Sequence, residues 1–148
     1  MRKALFLAVL LVAGAVLARY HVDNQRYYPV AKLASSDGYT FHVVMDRADT
    51  RGGCGEANDR LLAPLKASCK QCEIEYARCE RELDDLELAL LTGEPLPVHV
   101  LTAPGLRMAI EGPAHSLRRD CEYMAAAIVK AGAAHAACAF PGTPRKPG

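Results

Sequence analysis

From Tyr39 to Met45 the chain alternates. Tyr39, Phe41, Val43 and Met45 fall on one side, and Thr40, His42 and Val44 on the other. That is the period of a half-buried strand. After a loop at 46–55 the period changes. Leu61, Leu65, Cys69, Cys72, Tyr76, Cys79, Leu83, Leu86 and Leu90 follow at steps of 4, 4, 3, 4, 3, 4, 3 and 4. This spacing predicts one amphipathic helix from about Glu56 to Leu91, charged on its other faces. Pro64 starts or kinks it, and Gly93 is a natural stop.

Two short apolar runs come next. Residues 97–102 and 106–110 flank Ala103-Pro104-Gly105, the composition of a hairpin turn. Gly112-Pro113 opens a second helix whose stripe is Leu117, Cys121, Met124 and Ile128, and Gly132 closes it. Residues 134–140 read as a last strand, with Ala136, Cys138 and Phe140 on one face. Residues 19–38 read as a polar linker ending in the turn Ser35-Ser36-Asp37-Gly38, and 141–148 as a disordered Pro/Gly-rich basic tail.

The order strand, helix, strand, strand, helix, strand predicts an α+β domain over 39–140. It is the split βαβ pattern of a ferredoxin-like fold, with both helices on one face of an antiparallel sheet. The expected spatial order of the four strands is fourth, first, third, second. The first helix is too long for such a sheet: it would reach about 54 Å, against about 27 Å for an eight-residue strand. It must break, or project toward the membrane or a partner. The alternative fold is a disulfide-stapled helical hairpin with a small β-hairpin attached.

Ahead of this domain, Ala4 to Ala18 are fifteen uncharged, mostly apolar residues behind Arg2 and Lys3. A basic start, a short apolar core and a small-residue exit match an export signal. The length lies between a signal core and a span of about 20 residues, so the segment is either a membrane anchor or is cleaved after Ala18. Arg2 and Lys3 would remain on the cytoplasmic side. The domain would then sit on the extracytoplasmic face of an inner membrane, or be secreted into the periplasm. A single membrane helix coupled to a small ferredoxin-like domain resembles, in architecture alone, the accessory proteins of bacterial envelope and secretion machines.

Composition sharpens this reading. Dropping Arg2 and Lys3 from the 18 basic residues of the 148-residue chain leaves 16 against 17 acidic, a formal charge of −1. That balance argues against nucleic acid as a partner. No internal repeat is apparent in the letters. The six cysteines, Cys54, Cys69, Cys72, Cys79, Cys121 and Cys138, are an even set in an exported chain and read as a disulfide framework. If Cys69, Cys72 and Cys79 share one helical face, each pairs with one of Cys54, Cys121 and Cys138. Antiparallel helices favour Cys79–Cys121.

Candidate chemistry is sparse. Cys69-x-x-Cys72 has the spacing of a thiol–disulfide oxidoreductase, but it falls inside the apolar stripe and away from a helix start, where a thiolate is favoured. His42, His99, Arg107 and His135 are expected on an open sheet face, where they would suit a metal, an anionic glycan or a partner carboxylate. Residues 51–55 (Arg51-Gly52-Gly53-Cys54-Gly55) lack the Lys and Ser/Thr of a phosphate loop and read as a hinge. No catalytic constellation or cofactor motif emerges. The sequence therefore predicts a non-enzymatic envelope protein that binds another protein or a glycan. An oxidoreductase and a metal-binding protein are the rivals.

Overall fold

The computed structural model describes residues 26–68 and 70–141. The elements, in chain order, are β1 (Tyr28–Ser35), β2 (Thr40–Met45), α1 (Arg51–Ser68), β3 (Cys72–Glu80), α2 (Asp85–Thr92), β4 (His99–Ala103), β5 (Leu106–Glu111), α3 (Leu117–Lys130) and β6 (Ala137–Ala139). The strands form one six-stranded sheet in the order β3-β1-β2-β5-β4-β6, antiparallel at every pairing. The class is α+β, as expected, and the helical-hairpin alternative does not describe it.

Three expectations are corrected. Residues 28–35, taken for linker, form β1. The long helix does not exist: its span holds α1, β3 and α2. Segment 72–80 alternates, Cys72, Ile74 and Tyr76 against Glu73 and Glu75, and it pairs along β1 from Tyr28↔Glu80 to Ser35↔Cys72. The 3–4 stepping hid this alternation because Cys72 and Tyr76 fit both periods. The last strand, finally, pairs with β4 and not with β2.

The topology repeats. In β1-β2-α1-β3 a hairpin is followed by a helix, and the third strand returns to the outer side of the hairpin's first strand. In β4-β5-α3-β6 the same path recurs, giving β3-β1-β2 beside β5-β4-β6. The two units meet at β2 and β5, paired from Thr40↔Glu111 to Met45↔Leu106. Each hairpin turn carries a glycine in the left-handed region, Gly38 at φ 85° and Gly105 at φ 73°, where a Cβ would be strained.

Alternation then divides the core. On one face Ala31, Leu33, Val43 and Met45 pack under Leu62 of α1. On that same face Leu101, Ala103 and Ile110 pack under Leu117, Cys121 and Ala125 of α3. The other face presents Val30, Val44, Val100 and Ala109 to Leu90 of α2. Leu90 is fully buried, a contribution of about 1.5–3 kcal/mol. Asp84 starts α2 with a capping box: its side chain accepts from Glu87 N at 2.8 Å, and Glu87 Oε2 accepts from Asp84 N at 3.0 Å. Gly93, at φ 79°, ends it. Among the described residues no helix is long and apolar enough to cross a membrane. The segment Ala4–Ala18 and the tail 142–148 lie outside them.

Tyr39 links β2 to α3. Its hydroxyl lies 2.6 Å from Ser116 Oγ and donates to the Asp120 carboxylate. The ring rests on Gly112, where a Cβ would come within 2.5 Å of Tyr39 Cδ1. Because the hydroxyl is tied at its far end, the ring cannot swing aside. Gly112→Ala is therefore expected to cost about 1–3 kcal/mol by overpacking. Gly55→Ala, inside α1 with open space around its Cβ, is expected to gain about 0.5–1 kcal/mol. Urea unfolding of both variants checks the opposite signs.

Candidate functional site

Chemistry-bearing side chains gather at the two outer edges of the sheet. At the β3 edge Cys54, near the start of α1, is bonded to Cys79, with Cα atoms 6.0 Å apart. The Gly-rich stretch 51–55, expected as a loop, is the first part of this helix. Thr50 Oγ1 accepts from Gly53 N at 3.0 Å, which satisfies one of the orphan amides of the first turn. Asn58, one turn beyond Cys54, is buried and donates from Nδ2 to the Arg78 carbonyl at 3.0 Å. Its Oδ1 has no hydrogen-bond partner among the described residues. Helix and strand are thus tied by one covalent bond and by one hydrogen bond next to it.

At the β6 edge Cys121 of α3 is bonded to Cys138, with Cα atoms 6.1 Å apart. Cys121 and Cys54 are both fully buried. They occupy the same place in the two units: the early part of the crossover helix, bonded to the strand that follows. The favoured Cys79–Cys121 pairing is corrected by these two bonds. Cys79 lies in β3 and Cys121 above β4 and β6, at opposite ends of the strand order. Cys72 is disulfide-bonded as well. It opens β3 instead of lying within a helix, and Cys69 falls outside the described residues.

The expected cluster of His42, His99, Arg107 and His135 does not assemble. His42 and Arg107 alternate with Val43 and Met108 and share the face of Val44, which α2 covers in part. That face is consequently not open. Arg107 pairs with Asp46 at 3.1 Å. His99 sits opposite Ile110, on the α3 face. His135 is exposed in the loop before β6. Beside His99 in β4, Leu101 is fully buried under α3. Among the described residues no group of three or more His, Cys, Asp or Glu side chains is placed to hold a metal ion.

Sequence reasoning missed the cluster around Phe140. The His99 ring meets the Phe140 ring edge-on at 5.3 Å, and Arg118 Cζ lies 4.4 Å from its centroid. Burial, with the Arg118 charge adding to it, lowers the His99 pKa below 6.5. The Tyr39 hydrogen bond holds the Asp120 carboxyl below its usual range. Beside this cluster a groove of about 470 Å³ runs between α3 and β6. Ala125, Ala126, Ala136 and Ala137 form much of its lining, with Glu122 and Val129 from α3. The run Ala125-Ala126-Ala127 was the only signal of such a hollow, since side chains this small leave space between helix and strand.

Comparison of the chain with family models, curated proteins and solved structures finds no match.

Removal of the second staple by Cys121→Ala with Cys138→Ala is expected to cost about 3 kcal/mol for its short loop, read as a lower urea midpoint. A separate effect comes from His99. Its folded pKa is depressed, so the unfolded chain binds the proton more readily. That stability is fully present above pH 6.5 and falls as pH drops through 6.5 toward the folded value. Urea midpoints measured between about pH 7.5 and 5.5 are expected to decline in the native chain and to decline less in His99→Gln.

Proposed function

We propose that this chain is a non-enzymatic, extracytoplasmic accessory protein, held at the membrane by its N-terminal segment or released after Ala18, that binds another protein of the cell envelope. The observation that carries this reading is the pair of matched staples, Cys54–Cys79 and Cys121–Cys138. Disulfides in this structural role persist in oxidising compartments and are rare in reducing ones. The basic-then-apolar start of the chain supports the same compartment. We read each unit as a split β-α-β crossover of the ferredoxin-like kind, doubled into one sheet.

A protein fits better than an envelope glycan. Among the described residues the large apolar side chains that stand exposed are Leu88, Tyr123 and Val129, and exposed apolar surface marks protein contacts. The contact surface differs from the long helix and open sheet face that the sequence suggested. Helices lie over both faces of the sheet, so the free surfaces are the outer sides of the helices and the two edges.

Fractionation of the producing cells, with thiol tagging before lysis and cross-linked pull-down of the full chain, tests this. The expected result is recovery outside the cytoplasm, with no cysteine tagged and a protein cross-linked. Recovery from cytosol with reactive thiols would overturn it, and retention on isolated envelope glycan with no protein attached would replace the partner class.

A further inference from the structure

The outer side of α3 carries a pattern that its own domain does not use. Leu117, Cys121 and Ala125 face the sheet. On the far side Tyr123 is 75 % exposed and Val129 44 %. At 100° per residue, Glu122, Tyr123, Val129 and Lys130 all lie within about 60° of Ala126 around the helix axis. The stripe thus has a small residue at its centre, an aromatic and an aliphatic side chain on its flanks, and opposite charges one turn to either side, Glu122 and Lys130. Arg119, a further turn out on the same face, pairs with Asp120 at 3.3 Å.

We propose that this face of α3 is the interface of a homodimer, in which a second copy's α3 lies antiparallel across it with the two-fold axis at Ala126. Charge chooses this occupant and its direction. In the antiparallel arrangement Glu122 comes level with Lys130 of the second copy, and Lys130 with its Glu122. Tyr123 comes level with Val129 of the second copy. A parallel arrangement would set Glu122 beside Glu122 and Lys130 beside Lys130, which repel. Isologous contact requires a surface complementary to itself, and Glu122 and Lys130, one turn to either side of Ala126, meet that requirement, while Arg119 falls level with the uncharged Ala133 of the second copy.

Ala126 on the axis allows the backbones to approach to about 8 Å, the close end of helix packing. The groove between α3 and β6 begins on the Glu122 and Val129 flank, so contact extends from the helix onto Ala136 and Ala137. The Arg118–Glu122 pair at 3.3 Å is exposed on both sides. Such an exposed pair is weak in water and does not compete seriously with a partly desolvated interfacial pair.

The test uses the full chain, purified oxidised in mild detergent, with mass measured by light scattering over a range of concentrations. A dimer is expected. Glu122→Lys is expected to weaken it about tenfold or more by setting like charges together, and Glu122→Lys with Lys130→Glu to restore it. Rescue by the double exchange separates this helix from association through the N-terminal segment. Ala126→Cys, on the two-fold axis, is expected to link copy to copy under mild oxidation, whereas Glu82→Cys, in the exposed stretch between β3 and α2, is not. A monomer at every concentration, a dimer indifferent to both charge variants, or linkage through position 82 and not 126 would overturn the proposal.

Discussion

The constraint on which the architecture rests is the covalent tie between each crossover helix and the outermost strand of its half-sheet. β6 has three residues and one neighbouring strand. A strand that short contributes few ladder hydrogen bonds and little apolar area, and among the described residues its outer edge is unpaired. Cys138 fixes it to Cys121, which is fully buried under α3. At the far edge β3 is longer but carries Glu73, Glu75, Arg78 and Glu80, and Cys79 fixes it to Cys54 in the same way. The bonds act where the packing is thinnest. The centre of the sheet, with Val30, Val44, Val100 and Ile110 at 1 % exposure or less, has cover on both faces.

Two copies of one plan place one helix-to-strand bond at each edge. β1-β2-α1-β3 and β4-β5-α3-β6 each close their third strand against the first strand of a hairpin, and the hairpins join at β2–β5. α2 breaks the symmetry. It lies between the units in sequence and covers β2 and β5 on the face opposite the other two helices. It therefore bolts the joint, while the disulfides hold the ends. This division leaves the outer sides of α1 and α3 free of structural duties.

Part of this was legible in the letters. The alternation at Tyr39–Met45 marks β2. Ala103-Pro104-Gly105 marks the β4–β5 turn, and the stripe Leu117, Cys121, Ile128 marks α3. Other parts were concealed for physical reasons. Pro29 made residues 28–35 look like linker, yet a proline at a strand start costs little ladder bonding, and Pro29 is among the most deeply buried side chains. The glutamates of 72–80 are good helix formers, and tertiary pairing with β1 overrode that preference. Asp84-x-x-Glu87 was the available warning, because a capping box marks a helix start inside the stretch that periodicity had joined. Once β3 was read as helix, Cys79 faced the wrong neighbour, and the Cys79–Cys121 pairing followed. The repeat was invisible because the two units share a path and two cysteine positions, and little else in sequence.

The connectivity itself is the most direct observable. Proteolysis of the oxidised chain without reduction, followed by mass mapping of linked peptides, reads which sulfur meets which. Peptides joining Cys54 to Cys79 and Cys121 to Cys138 are the expected result. A peptide joining Cys79 to Cys121 would bring opposite edges of the sheet together and contradict the stapled double unit.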